Sequence, residues 1–412
     1  MSEWKKVKLV DICDIRSGKR LPKGTDFSTV PTNYKYIRAR DIKNGIINGE
    51  NLAYITKDVK DKISKYIVNA NDIAITIVGA SVGDVAYVSP EFDGINLTEN
   101  AVRLTNFKDN TNPRFIFYIL NSPEYYLLMQ QIAGGAAQPK MGIYKVEAIE
   151  VCIPSIFDQN RIVDILSRYD SLIENYQKQI KLLEEAAQRL YKEWFVDLRF
   201  PGHENTKTVD GVPEGWEKKT INDICTHISS GSTPSRRNKS YWENGTIKWV
   251  KTKELLDGWI FDTEEYITDD GLKKSSTKIY PVNSILMAIY ASPTLGRLGI
   301  LASECCCNQA ALCLIANDQI VSWQWLYWKL FELRDEFNSI ARGAGQQNIS
   351  GIVVKNKEVL VPTKQVVDAF TNIANPIFES IKKISSQIRF LTEARDRLLP
   401  KLMSGYVKTK FY

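Results

Sequence analysis

This chain writes nearly everything twice. Ile132–Gly142 reads IAGGAAQPKMG and Ile340–Ser350 reads IARGAGQQNIS, a shift of 208 residues. The same shift lays VCIP (Val151–Pro154) on VLVP (Val359–Pro362) and IKLLEEAAQRL (Ile180–Leu190) on IRFLTEARDRL (Ile388–Leu398). Nearer the N-terminus the shift drifts by a few residues, as loops of unequal length require. There LVDICDIRSGKRLPKG (Leu9–Gly24) matches INDICTHISSGSTPSR (Ile221–Arg236), and YKYIRARDIKNGII (Tyr34–Ile47) matches IKWVKTKELLDGWI (Ile247–Ile260). NPRFIFYIL (Asn112–Leu120) matches SWQWLYWKL (Ser322–Leu330). A repeat period of about 200 residues demands two related units, each a globular part followed by a long helix.

The globular parts read as α+β. DIAITIVGASVGDVAYV (Asp72–Val88) and its partner VNSILMAIYASPTLGRLGIL (Val282–Leu301) predict short strands broken at glycines. NPRFIFYILNSPEYYLLMQQIA predicts one helix with an aromatic face, and the tryptophans of its partner, Trp323, Trp325 and Trp328, read as core. The helical parts carry an apolar series stepping by three and four: Ile173, Tyr176, Ile180, Leu183, Ala187, Leu190 and Trp194. Its repeat is Ile381, Ile384, Ile388, Leu391, Arg395, Leu398 and Leu402, where Arg395 alone is polar and a candidate for setting register. That is the seam of a coiled coil. The first helix is expected from about Gln159 to Phe195, while Pro376 and Pro400 predict a kink and an early stop in the second.

Two similar seams in one chain bury each other. The expected fold is α+β: two tandem-repeat globular domains (1–155 and 216–362) joined by an antiparallel two-helix coiled coil (156–198 with 363–405), pseudo-twofold symmetric. A polar, Gly- and Pro-bearing linker covers 199–215 and a tail covers 406–412. Such a molecule is a ruler with a head at each end. Duplex DNA suits it, because half-sites recur about one turn, ~34 Å, apart.

The net charge of +6 is only mildly basic, but its placement is uneven. Residues 1–50 hold eleven Lys and Arg against six Asp and Glu, and residues 216–260 hold eight against five; the two windows are repeats of each other. Three loops per copy are candidates for DNA contact. The first holds Lys19, Arg20 and Lys23, against Arg236, Arg237 and Lys239. In the second, Arg38, Arg40 and Lys43 answer Lys251 and Lys253, alternating as cations on one strand face would. The third is the twice-written phrase, with Gln138 and Lys140 against Gln346, Gln347 and Asn348. Amides and cations there can bond base edges or phosphates. Each has a plain alternative: a solvated loop, an exposed strand face, a loop docked on its own helix.

Catalysis finds little to work with. There are two histidines, His203 and His227, and the seven cysteines lack CxxC spacing, so no metal or catalytic site is expected. The GxxxxGK[ST] phosphate loop is absent, and NPIF (Asn375–Phe378) lacks the second proline of an adenine-methyltransferase motif. No export signal or membrane-spanning run is read, so a cytoplasmic chain is expected.

The repeat, the SGSTPSR…YW…IKWVKTKEL opening, NQAAL (Asn308–Leu312), the VP…Q exit into a helix and the final EARDRLLPKLMSG together resemble the DNA-specificity subunit of type I restriction–modification systems. The likeness spans essentially the full chain. It implies two target recognition domains, each reading half of a split double-stranded DNA target through the major groove. It implies as partners two methyltransferase subunits and, in the full complex, two nuclease–translocase subunits. S-adenosylmethionine, ATP and magnesium would then belong to those partners and none to this chain. The first copy departs from the pattern, with SGKRLPKG where the second has SGSTP. A protein-binding scaffold and a stand-alone DNA-cleaving or DNA-modifying enzyme are the alternatives.

Overall fold

A computed structural model describes residues 4–134, 139–290, 294–343 and 348–403. The chain divides into two compact units, residues 1–171 with 392–412, and residues 172–391.

The first unit is built on a four-stranded antiparallel sheet. Its central strands are Ala101–Thr105 and Ile73–Thr76, flanked by Asp14–Ser17 and Val85–Tyr87. A three-stranded sheet adds Lys35–Ile37 between Ala53–Tyr54 (antiparallel) and Asn96–Leu97 (parallel). Lys5–Lys8 pairs with Glu150–Ile153, tying the N-terminus to the strand that enters the first long helix. The buried side of the large sheet packs Ile73, Ile75, Val102 and Leu104 against Phe115 and Ile119 of helix Pro113–Leu120. The segment expected as one aromatic helix is two, Pro113–Leu120 and Pro123–Ala133. The break is local chemistry: Ser122 accepts from the Tyr125 amide and Pro123 takes the first helical position, where a missing N–H costs nothing.

The second unit repeats the first nearly element for element. Cys225–Ser230, Ala311–Ala316, Ile285–Ala288 and Leu298–Leu301 form the same antiparallel order, extended by Gly258–Ile260 in parallel. Ile247–Val250 lies between Glu265–Ile267 and Cys306–Cys307, and Glu217–Thr220 pairs with Glu358–Val361. The one-residue drift between the copies is absorbed by a bulge between Cys225 and His227, where the register slips. Trp325 and Trp328 are buried and Trp323 is half-buried, so this helix face is core, as expected. All seven cysteines are free; Cys305, Cys306 and Cys307 are buried filling.

Both long helices have 40 residues, Ile156–Phe195 and Lys364–Met403. Every expected seam position on them is buried or half-buried. Within the second unit, Tyr191, Trp194 and Phe195 of the first helix meet Phe370 of the other. Within the first unit, Asp170 meets Arg395. Rising number on one helix thus meets falling number on the other, the antiparallel order. The early stop does not occur: the second helix runs through Pro376 and Pro400 to Met403. Pro400 sits in the last turn, where its ring removes a single bond, and the buried Phe370, Ala374 and Phe378 hold the helix around Pro376. The 199–215 segment carries a hairpin, Thr208–Val209 with Val212–Pro213, turned at Asp210 and Gly211 with both φ positive. Phe200 before it and Trp216 after it are buried together in the second unit.

One acid on the first long helix is held against its chemistry. Burial pushes the Glu184 carboxyl up, and nearby Asp257 adds to the shift. A carboxylate whose folded pKa lies above its unfolded value weakens the fold where it is ionised, and that penalty vanishes once acid protonates it in both states. Glu184→Gln is expected to raise the melting temperature at pH 7. The gain should fade as the pH falls through the raised folded value and be gone by about 4.3, the ordinary Glu value; thermal melts across pH 4–8 check both.

Candidate nucleic-acid interface

In each unit the first candidate loop leaves the sheet through a glycine that nothing else can replace. Strand Asp14–Ser17 ends at Gly18, where a Cβ would stand 2.0 Å from the Thr98 carbonyl oxygen. Strand Cys225–Ser230 ends at Gly231, where a Cβ would stand 2.1 Å from the Cys307 carbonyl oxygen. The chain crosses under its neighbour at van der Waals limit and then turns outward with its cations.

What those cations do differs between units. Lys19 lies 5.6 Å over the Tyr66 ring, Arg20 bonds Glu99 at 2.7 Å through a largely exposed side chain, and Lys23 is exposed. In the second unit Arg236 is committed: its guanidinium stacks 3.6 Å from the Trp242 ring centre and 4.9 Å from that of Trp249, and it bonds Glu265 at 2.5 Å. Such a stacked, paired arginine braces its loop. Arg237 and Lys239 are exposed and have no ion pair among the described residues.

The expectation of a cationic strand face fails in both units. The strands end at Ile37 and Val250, and the following residues form short 3₁₀ turns, Ala39–Asp41 and Thr252–Glu254. Asp41 accepts from the Arg38 amide at 2.8 Å and from its guanidinium at 2.9 Å; Glu254 accepts from the Lys251 amide at 2.6 Å. The cation–x–x–acid spacing of RARD and KTKE is a capping signal, and capping overrides the alternation. Arg38 is spent on Asp41, and Lys251 on Glu264 and Glu265, both at 2.9 Å. The Glu264 bond, with that of Glu265, raises the Lys251 ammonium. Burial alone would raise the Glu265 carboxyl, but hydrogen bonds from Lys251 and Arg236 outweigh it and hold it low. Arg40 and Lys43 remain exposed, and Lys253 pairs with Glu264 at 2.5 Å.

Of the third loop, Gln138, Gln346 and Gln347 lie outside the described residues. Its flanks dock on the sheet: Met141 donates to Ile77 O at 2.8 Å, and Ile349 donates to Ile289 O at 3.0 Å. Lys140 and Asn348 form antiparallel bridges to Val78 and Tyr290. Sequence reading overlooked a cleft of about 420 Å³ beside the first loop, lined in part by Arg16, Lys65, Tyr66 and Arg103. Among the described residues no group of three or more His, Cys, Asp or Glu is placed to hold a metal ion, and no helix is long and apolar enough to cross a membrane.

The family described as the type I restriction modification DNA specificity domain matches residues 1–185 and again 213–389. This chain belongs to that family. The two matches fall on the two repeats, so the specificity domain occurs here twice in one polypeptide. Among relatives of this specificity protein is the type I restriction enzyme MjaIX specificity subunit of Methanocaldococcus jannaschii. It is 28% identical over 308 residues, covering 74% of this chain and 71% of that one. The HindI specificity subunit of Haemophilus influenzae is 24% identical over 99% of this chain and all of its own. The crystal structure of the S subunit of a type I restriction–modification system from M. genitalium matches 97% of this chain and 96% of that chain. Its TM-score is 0.60 at 17% identity, a likeness of fold.

Proposed function

We propose that this chain is a non-catalytic DNA-specificity subunit of a type I restriction–modification complex. Each globular part recognises one half of a bipartite duplex target, and the paired 40-residue helices set the interval and dock two methyltransferase subunits. Two nuclease–translocase subunits complete the restricting complex in the cytoplasm. S-adenosylmethionine, ATP and magnesium serve those partners. The observation carrying this reading is the duplicated glycine exit: one frame, twice, projecting a loop whose charged residues differ between copies while the frame does not. A frame repeated around unlike tips is what two readers of two different half-sites require. Base contact is assigned to Lys19, Lys23, Arg40, Lys43, Arg237 and Lys239, and bracing of the loops to Arg38, Arg236 and Lys251.

Replacing residues 216–362 by those of a relative with a different target should change one half of the methylated sequence and leave the other half and the spacing intact. Methylome sequencing of cells carrying the cognate methyltransferase subunits reads this directly. A change in both halves would contradict the modular reading. A protein-only scaffold would leave methylation untouched and shift no duplex in a gel.

A further inference from the structure

The cleft beside the first loop breaks a rule of sheet pairing. Arg16 and Arg103 are direct cross-strand partners on adjacent antiparallel strands, so both side chains rise from one face. Like charges placed opposite each other destabilise a sheet. Lys65 joins them, and the cleft lining contains three cations and no carboxylate. The carboxylates that answer them lie outside that lining and are shared. Asp14 takes Arg16 at 3.1 Å and Asn106 at 3.0 Å; Asp72 takes the Asn69 amide at 2.8 Å and only a long 3.4 Å contact from Arg103.

The frame does not need this pair. At the same two positions the second unit places Ser229 opposite Cys313, and Asp72 is answered by Ser284. There Ser229 sits in a chain of hydrogen bonds, to His227 Nε2 at 2.8 Å and to the Tyr280 hydroxyl at 3.0 Å. A like-charged pair whose carboxylates are shared with other donors, at a place where the repeat manages without it, marks a site kept for a ligand. The ligand must be anionic and able to meet a guanidinium fork, and the cleft is continuous with the first loop, because Tyr66 lines it and lies beneath Lys19.

We infer that Arg16, Lys65 and Arg103 grip a backbone phosphate of the DNA bound by the first unit, a contact the second unit lacks. This rests on the reading of the first unit as a DNA-binding head. The anchor positions that unit on the duplex and carries no base information, while the second unit depends on its loop.

The test uses the full chain assembled with its methyltransferase subunits and a 40-bp duplex of arbitrary sequence, with affinity followed by fluorescence anisotropy across potassium chloride concentrations. Arg16 and Lys65 are exposed, so Arg16→Ala/Lys65→Ala leaves the fold standing. The double variant should bind about tenfold more weakly near physiological salt and reduce the slope of log K against log salt by roughly 1 to 2. Arg103→Cys with Asp72→Ser, the second unit's own residues, should reduce it further without exposing a lone buried charge. An unchanged slope with intact wild-type binding overturns the phosphate grip and leaves the DNA-binding reading in place. A wild-type complex that fails to bind duplex overturns both. Titration with inorganic phosphate separates the remaining source: variants that lose phosphate binding but keep the wild-type DNA slope would assign the cleft to a free anion and overturn the proposal.

Discussion

Gly18→Ala is expected to cost roughly 3 kcal/mol or more of stability, the upper range for one added methyl. The new Cβ would stand 2.0 Å from Thr98 O and 2.4 Å from Leu97 O. Both are backbone atoms, so no rotamer change relieves the clash. Moving them apart breaks what they hold: Lys19 donates to Leu97 O at 2.8 Å, Gly18 donates to Ala101 O at 3.1 Å, and Thr98 donates to Ile37 O at 3.0 Å. Gly231→Ala should do the same in the second unit, where the Cβ would meet Cys307 O at 2.1 Å and Asn308 O at 2.5 Å. Gly258→Ala is the control, a strand glycine whose Cβ would meet nothing within 4 Å, and should change stability by under about 1 kcal/mol. Urea denaturation of the three variants decides it. Equal, small losses at all three would remove the close crossing from the account of why SG stands in both repeats.

That crossing shows where sequence reading ends. The repeat, the two long helices, the glycine-broken strands and the buried tryptophans were legible, because each rests on a pattern tens of residues long with one physical period. The SG dipeptide was legible as a coincidence between copies, but its cause is a carbonyl some 80 residues away, which no local pattern encodes. RARD and KTKE carried their capping signal openly, and alternation of charge was the weaker rule. The Arg16–Arg103 pair was out of reach for another reason: cross-strand partnership is a matter of register, and nothing local joins strands 87 positions apart. Arg236 looks like a free cation in SGSTPSRRNKSYW; only the folded arrangement brings Trp249 and Glu265 to it.

Asp170→Ala should destabilise the first unit by about 2 kcal/mol, while replacing the whole joint around it should not. Asp170 on the first long helix takes Arg395 of the second at 2.9 Å, Arg114 at 3.5 Å, and a hydrogen bond donated by the Tyr118 hydroxyl. Burial, then Asp170, pushes that phenol well above its ordinary range. Arg395 is the single polar member of the seam, and Asp170 is the partner that makes it tolerable. Removing the acid leaves two guanidiniums facing each other with Arg114 and Arg395 about a third exposed, so the cost falls below the 3–5 kcal/mol of a fully buried break. The second unit solves the same joint without charge. Its equivalents of Arg114, Tyr118, Asp170 and Arg395 are Gln324, Trp328, Phe378 and Ala187, all buried. Buried ion networks replaced by packed apolar groups often lose nothing. The fourfold exchange Arg114→Gln, Tyr118→Trp, Asp170→Phe, Arg395→Ala should therefore return stability to within about 1 kcal/mol of the parent and make it less sensitive to salt. Denaturation at low and high potassium chloride measures both. If the fourfold variant stays as weak as Asp170→Ala, the two joints are not interchangeable, and the ion network holds the register of the helix pair in a way that packing alone does not reproduce.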